Sequence, residues 1–253
     1  MPSFTPADVL ASHSAFRETR HVDSIIPEAL DLAVDPDDLI NLADRLGNGS
    51  FSSSGVIRQA PVNMLDGIKF LYSHDGVRVE MPADTQQIEA EAKAAAHLLK
   101  PIDDHLRAWA GVPDDVVTTP NVSLIAGRFR GKAGSDTNRH FDYRGRFPGV
   151  SYKMYFLGDP EFSSVYYPGA YRSPSQLTQF FRVLGGVDPS YPKPLFKRRD
   201  AERHVMPAGV VCVEPWNAYH SGPTDKAARD TERGILSVNY NVARLAVAAS
   251  ETQ

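Results

Sequence analysis

The first half of the chain places its apolar residues at helical spacing. Asp35 can cap a helix and Pro36 suits its first turn, and an apolar face then continues until Gly47. The residues of this face are Leu39, Leu42, Ala43 and Leu46. From 84 to 110, apolar residues recur at alternating spacings of four and three, with Pro101 interrupting them. The patterns predict one helix after Asp35 and a kinked helix over 84–110.

Two β-prone segments lie between these helices. Residues 68–72 and 77–81 flank the turn-forming sequence His74-Asp75-Gly76. Such an arrangement is typical of a β-hairpin. We therefore expect residues 1–118 to be mainly helical, with one hairpin.

From residue 119 onward the pattern changes to short apolar segments separated by glycine, proline and aspartate. The strongest strand candidates are Val122–Phe129, Val150–Leu157, Val210–Glu214 and Gly234–Asn241. One helix is predicted among them, because Ser173-Pro174-Ser175-Gln176 is a capping box and Gly185-Gly186 ends the segment. Helices followed by antiparallel strands predict an α+β fold, in which helices buttress a sandwich or barrel.

Composition and charge exclude several classes of partner. With 253 residues, 42% of them apolar, and no linker-like segment, the chain is expected to form a single domain, 1–253. The net charge of −4 gives no electrostatic reason to expect nucleic acid or an anionic membrane. Cys212 is the only cysteine, and neither a signal peptide nor a membrane span is visible. We expect a soluble, cytoplasmic protein with a small-molecule substrate, and its oligomeric state stays open.

Three residues form a candidate metal site. His140 and Asp142 are two apart, so in an extended segment both side chains point to the same side. His220 follows a turn and an apolar strand, which would deliver a third ligand rigidly from elsewhere in the sheet. Two imidazoles and one carboxylate leave open coordination positions and suit Fe(II), whereas zinc is more often closed off or keeps one water.

A candidate anion site follows the last histidine. On a strand, Arg233 and Ser237 would share one face, so a guanidinium and a hydroxyl could both point into a barrel. The planar guanidinium matches a carboxylate, and a buried arginine needs such a partner. An arginine at a strand end in solvent is the alternative, and the order of Arg233 after a candidate ligand favours the buried site.

Together these features resemble the Fe(II)/2-oxoglutarate-dependent dioxygenase superfamily, and more loosely its phytanoyl-CoA dioxygenase-like branch. The resemblance covers residues 119–242 and depends on His140-x-Asp142, the Pro207-Ala208-Gly209 turn, His220, and Arg233 leading the strand with Ser237. It implies a double-stranded β-helix, or jelly roll, as catalytic core over 119–253, with 1–118 as helical support.

The resemblance also implies cofactors and roles. His140, Asp142 and His220 would hold Fe(II), Arg233 would anchor the distal carboxylate of 2-oxoglutarate, and Ser237 could assist it. With O2 as cosubstrate, such an enzyme hydroxylates a small molecule and releases succinate and CO2; desaturation or cyclisation would use the same chemistry. Because Asp142 occupies the carboxylate position, no coordination site is left for a halide, and hydroxylation is favoured over halogenation.

Two other functions fit parts of the pattern. A cupin-type metal enzyme would share the barrel but take no oxo acid, and replacing Arg233 would then not affect cosubstrate affinity. A non-catalytic jelly-roll binding module would bind no iron, and EDTA would not change its stability. Lys153 and Tyr155 alternate on one face of their strand and either reach the substrate or cover the outside of the sheet. Glu214 is not expected to be a fourth ligand.

Overall fold

Local capping signals define the first helices. The computed structural model describes residues 1–47, 62–129, 140–142, 146–159, 163–173, 193–194, 204–222 and 231–251. Helix α1 (Pro6–Thr19) begins at a capping box in which the backbone N–H of Asp8 donates to Thr5 Oγ1 and that of Thr5 donates to Asp8 Oδ2. Helix α2 (Pro36–Leu46) begins where Asp35 Oδ1 accepts from the backbone N–H of Asp37, as predicted.

The long helical pattern over 84–110 is divided in two. A 3₁₀ turn (Ala83–Ile88) leads into α3 (Glu89–Leu98), and α4 (Lys100–Ala110) follows after Leu99. Pro101 stands in the first turn of α4, where a helix needs no backbone N–H from it. The predicted interruption near Pro101 is therefore a boundary between two helices, and residues 84–88 form a 3₁₀ turn instead of the predicted α-helix.

The strands form four antiparallel sheets in the described residues. Their bounds are β1 His21–Ser24, β2 Glu28–Leu30, β3 Val62–Asn63, β4 Lys69–Ser73, β5 Gly76–Glu80, β6 Asn121–Phe129, β7 Gly149–Leu157, β8 Val165–Tyr166, β9 Gly169–Arg172, β10 Lys193–Pro194, β11 His204–Val205, β12 Val211–Pro215, β13 His220–Ser221 and β14 Thr231–Asn241, and a last helix, α5, spans Val242–Glu251. All four predicted long strands are present, and β4 and β5 form the predicted hairpin.

The largest sheet has six strands in the order β2-β12-β7-β14-β6-β3. Two sheets of three strands, β11-β8-β13 and β1-β9-β10, accompany it, and α2 and α5 contact β7. Strand β7 is central and buried on both faces. The fold is thus a mixture of helices and antiparallel sheets, compatible with a jelly-roll oxygenase; closure into a double-stranded β-helix stays a prediction.

The two faces of β7 have different surroundings. Its even-numbered residues, Val150, Tyr152, Met154 and Phe156, pack with apolar residues of β6, β12 and β14 into the main core. Three of its odd-numbered residues, Ser151, Lys153 and Tyr155, carry polar groups and are also buried. Neighbouring strands continue this second face with Glu214 opposite Ser151 and Ser237 opposite Lys153. Buried polar side chains need hydrogen-bond or ion-pair partners, and on this face of β7 those partners include the candidate metal ligands.

Two predictions are not tested by the described residues, and one finding concerns the helices. The helix expected after Ser173 lies outside the described residues, so it stays a prediction, as does the single-domain organisation. Among the described residues, no helix combines the length and apolar character needed to cross a bilayer.

Candidate metal centre

The backbone brings the two candidate histidines side by side. His140 and His220 form an antiparallel bridge in which each backbone N–H donates to the other residue's carbonyl, at 2.8 and 3.0 Å. Their rings lie 4.5 Å apart between centroids. Strand β13 carries His220 and is anchored further by pairing with Tyr166 of β8. The spacing of the imidazoles is therefore fixed by main-chain hydrogen bonds.

Asp142 completes a cluster with these two imidazoles. Ligand atoms of His140, Asp142 and His220 all lie within 4.8 Å of one another. Asp142 Oδ1 is 3.5 Å from Nε2 of His220 and 3.8 Å from Nε2 of His140. The ligand atoms of the three predicted residues thus lie close together. His140 forms an isolated bridge and Asp142 follows it, so neither residue is on a regular strand.

The protonation of His220 suits a metal ligand. Its Nδ1 lies 2.9 Å from the carbonyl oxygen of Ala218 and donates to it, because a carbonyl only accepts. Burial, with the nearby Lys153 cation, lowers the pKa of His220 to about 3. The neutral ring then leaves Nε2 with a lone pair, which faces the Lys153 ammonium at 3.3 Å and can instead bind a metal.

A buried ion pair lies beside the cluster. Lys153 Nζ is 2.7 Å from Asp142 Oδ2 and also contacts Glu214 Oε1. The side chains of Lys153 and Glu214 are 8% and 2% exposed. Burial raises the pKa of Glu214 to about 7, with Lys153 opposing the rise. For Asp142, burial alone would raise the pKa, but the Lys153 ammonium holds it well below its usual range.

These contacts answer two questions that the sequence left open. Lys153 points toward the candidate ligands, not toward the outside of the sheet. Glu214 pairs with Lys153 and is not in the cluster of possible ligands among the described residues; that it is not a fourth ligand stays a prediction. The sequence held one signal for this pair: a glutamate within the apolar segment Val211–Pro215 is buried and needs a cation.

Arg233 is buried at the far end of the same sheet face. It is 4% exposed, so the solvent-facing alternative is wrong. A Cβ atom on Gly158 would lie 2.8 Å from the Tyr155 hydroxyl and 3.2 Å from the Arg233 side chain. These two side chains are therefore close to each other. The Tyr155 hydroxyl is buried and has no hydrogen-bond partner among the described residues. A guanidinium and a hydroxyl donor thus share one buried corner.

Ser237 lies elsewhere on the strand. It pairs with Lys153, and its hydroxyl donates to Asn239 Oδ1 at 3.2 Å. Four residues of strand separate it from Arg233, which corresponds to about 13 Å. Ser237 is therefore level with the metal cluster, while Tyr155 is the hydroxyl beside Arg233. The predicted assistance of Ser237 in cosubstrate binding stays a prediction.

An aromatic and apolar wall borders the cluster. The Tyr166 ring lies 5.2 Å from the His220 ring between centroids. Tyr166 belongs to a small apolar cluster separate from the main core, together with Tyr155, Met206, Cys212 and Ala218. The sequence alone does not place Tyr166 beside His220, because its position depends on the pairing of two-residue strands that carry no pattern of their own.

Gly158 offers a test of the Arg233 corner. Its φ of +106° is a backbone conformation that L side chains rarely adopt, and a Cβ would lie 2.5 Å from the Glu232 carbonyl oxygen. We expect Gly158→Ala to destabilise the fold by about 1–3 kcal/mol in urea unfolding. Gly76→Ala, with a positive φ but nothing within 4 Å, is the control for backbone strain alone. Equal losses for both would contradict close packing at Gly158.

Among known proteins, only solved structures are similar to this chain. No protein-family model matches the sequence, and no curated protein does. Similar solved structures include the non-haem α-ketoglutarate-dependent epimerase SnoN from nogalamycin biosynthesis, at 17% identity over 93% of this chain and 83% of its own, with a TM-score of 0.40. AviO1 from Streptomyces viridochromogenes Tue57 is 14% identical over 95% of this chain and 96% of its own, with a TM-score of 0.42.

A third similar structure is EvdO2 from Micromonospora carbonacea var. aurantiaca, complexed with 2-oxoglutarate. It is 13% identical over 91% of this chain and 90% of its own, with a TM-score of 0.42. These structures include iron- and 2-oxoglutarate-dependent enzymes, the superfamily that the sequence pattern resembles. At TM-scores this low, no residue role is transferred from them to this chain.

Proposed function

We propose that the protein is a non-haem Fe(II)/2-oxoglutarate-dependent oxygenase that hydroxylates a small molecule. The observation that carries the proposal is the convergence of His140, Asp142 and His220, whose ligand atoms lie within 4.8 Å of one another. Two imidazoles and one carboxylate on one side of a metal leave three open positions, which is typical of Fe(II) oxygenases. The neutral state of His220 supports the same set of ligands.

The buried Arg233 supports an oxo acid as cosubstrate. Burial lowers the pKa of Arg233, but its ordinary value above about 12 keeps the guanidinium charged at neutral pH. With the Tyr155 hydroxyl beside it, this corner can donate several hydrogen bonds to one carboxylate.

Each group then has a task in the reaction. Fe(II) bound with 2-oxoglutarate supplies the oxidising power for hydroxylation by O2, with release of succinate and CO2. His140, Asp142 and His220 hold the metal, while Arg233 and Tyr155 hold the distal carboxylate of the cosubstrate. The Tyr166 ring closes one side beside His220, which restricts where a substrate can lie.

Anaerobic addition of Fe(II) and then 2-oxoglutarate tests the proposal. A weak visible charge-transfer band of the chelate is the expected result. A folded protein that binds Fe(II) without this band would favour the cupin-type enzyme. A folded protein that binds no Fe(II), and whose stability is unchanged by EDTA, would favour a non-catalytic binding module.

Replacing Arg233 tests the cosubstrate site directly. We expect Arg233→Gln to weaken 2-oxoglutarate affinity by roughly thirtyfold or more, since removing one partner of a buried charge pair costs at least about 2 kcal/mol. Fe(II) affinity in the absence of 2-oxoglutarate should be unchanged. Titration of the charge-transfer band measures the 2-oxoglutarate affinity, and competition with a metal chelator measures the Fe(II) affinity. Exposed Arg244→Gln is the matched control, and equal affinities in both variants would refute this role.

A further inference from the structure

The proposed reaction gives no role to the ion pair of Lys153 and Glu214. Both residues lie on adjacent central strands and are almost fully buried. A buried ion pair is often no more stabilising than apolar residues of similar size, because both charges lose their hydration. Fold stability is therefore a weak reason for a buried lysine in this place. Its contacts with the candidate ligands indicate another reason.

The two oxygens of Asp142 have different neighbours. Oδ1 faces the imidazoles, at 3.5 Å from His220 Nε2 and 3.8 Å from His140 Nε2. Oδ2 faces Lys153, whose Nζ lies 2.7 Å away, and the Ser151 hydroxyl approaches it to 3.4 Å. One oxygen is thus directed toward the metal position, and the other is engaged by a cation.

We propose that Lys153, held by Glu214, is a positioning residue that keeps Asp142 a one-oxygen metal ligand. The proposal rests on the proposed function and specifies how this chain keeps coordination positions open. If both oxygens of Asp142 bound the metal, one of the three open positions would be taken. A chelating oxo acid needs two of these positions, and dioxygen needs the third. Engagement of Oδ2 by Lys153 therefore preserves the third.

The surroundings of Lys153 fix its ammonium in place. On β7 it pairs with Cys212 on one side and Ser237 on the other, so its backbone is held by two strands. Its ammonium contacts Asp142 and Glu214, and these two carboxylates hold it between β7 and β12. Glu214 balances its charge, so that Asp142 need not move toward the ammonium and away from the histidines.

The test counts water molecules on Mn(II), which is used alone as the probe. Broadening of the Mn(II) EPR signal by ¹⁷O-labelled water gives the number of bound waters without any turnover. The decisive variant is Lys153→Met/Glu214→Gln, because it removes both charges together and leaves the net charge of the site unchanged. Lys153→Met alone would leave Glu214 buried and unpaired, at a cost of about 3–5 kcal/mol, and the double variant avoids this cost. Lys153→Arg keeps the cation, and Lys100→Met removes an exposed ion pair as the control.

We expect three bound waters in the native protein, in Lys153→Arg and in Lys100→Met. In the double variant we expect two, with a loss of about tenfold in 2-oxoglutarate affinity, as for other groups that orient a metal ligand. Three waters in the double variant, with or without weaker Mn(II) binding, would show a merely structural pair and overturn the inference. Native protein that binds Mn(II) but not 2-oxoglutarate would overturn the proposed function and leave the water count standing. Absence of Mn(II) binding would overturn both.

Discussion

Replacing His220 with alanine is expected to abolish Fe(II) binding and to lower turnover by roughly a thousandfold. Loss of a group that only supports a ligand costs about 10–100-fold, and loss of the ligand itself should cost more. The backbone bridge between His140 and His220 uses main-chain atoms alone, so alanine preserves it. Competition with a metal chelator and the charge-transfer band of the 2-oxoglutarate complex measure the effect.

His97→Ala is the control for this variant. His97 is exposed on α3, and its replacement should leave Fe(II) affinity and turnover unchanged. Circular dichroism should show both variants folded. Fe(II) affinity retained in His220→Ala would contradict the metal centre, whereas a loss of affinity in both variants would indicate an effect on the fold.

The largest effect on stability is expected on the opposite face of the sheet. Asp103 of α4 is 1% exposed and accepts hydrogen bonds from Thr118 Oγ1, from the Tyr240 hydroxyl at 3.2 Å and from Arg107 Nε at 2.8 Å. Arg107 in turn donates to the carbonyl oxygens of Tyr72 and Val116. This network ties α4 to β4, to the segment before β6 and to β14.

Asp103→Ala should therefore lower the free energy of unfolding by about 3–5 kcal/mol, since it leaves a mostly buried arginine without its carboxylate. That is a large part of the roughly 5–15 kcal/mol typical of a domain. Urea unfolding followed by fluorescence measures the change. Asp104→Ala removes the neighbouring carboxylate, which is 55% exposed and paired with Lys100, and should cost less than about 1 kcal/mol. Similar losses in the two variants would contradict the network.

Part of the candidate site could be read from short-range patterns. The two-residue spacing of His140 and Asp142, and the strand that delivers His220, predicted ligands that the structure brings together. The same holds for Arg233, whose burial follows from its place on an apolar strand. Alternation along a strand is a local property, and it accounts for the placement of Arg233. It does not account for His140 and Asp142, which lie outside any regular strand and reach His220 through an isolated bridge, and the roles of all four residues stay predictions.

Other parts of the site could not be read in this way. Because β7 is buried on both faces, alternation along it does not show which face is the core, and the direction of Lys153 stayed open. The proximity of Tyr155 to Arg233 depends on the positive φ of Gly158 and on an irregular register between β7 and β14 at Gly234 and Ile235. The position of Tyr166 depends on strands too short to carry a pattern.

The sequence by itself determined the start of α2, the hairpin, the long strands and the set of candidate residues, since capping and alternation act within a few residues. Only the tertiary structure decided which polar groups share the buried face: Lys153 with Asp142 and Glu214, and Tyr155 with Arg233. The physical reason is that burial of a charge is tolerated only where partners from other strands meet it. The register between neighbouring strands brings such partners together, and this register cannot be read from the order of residues in the sequence.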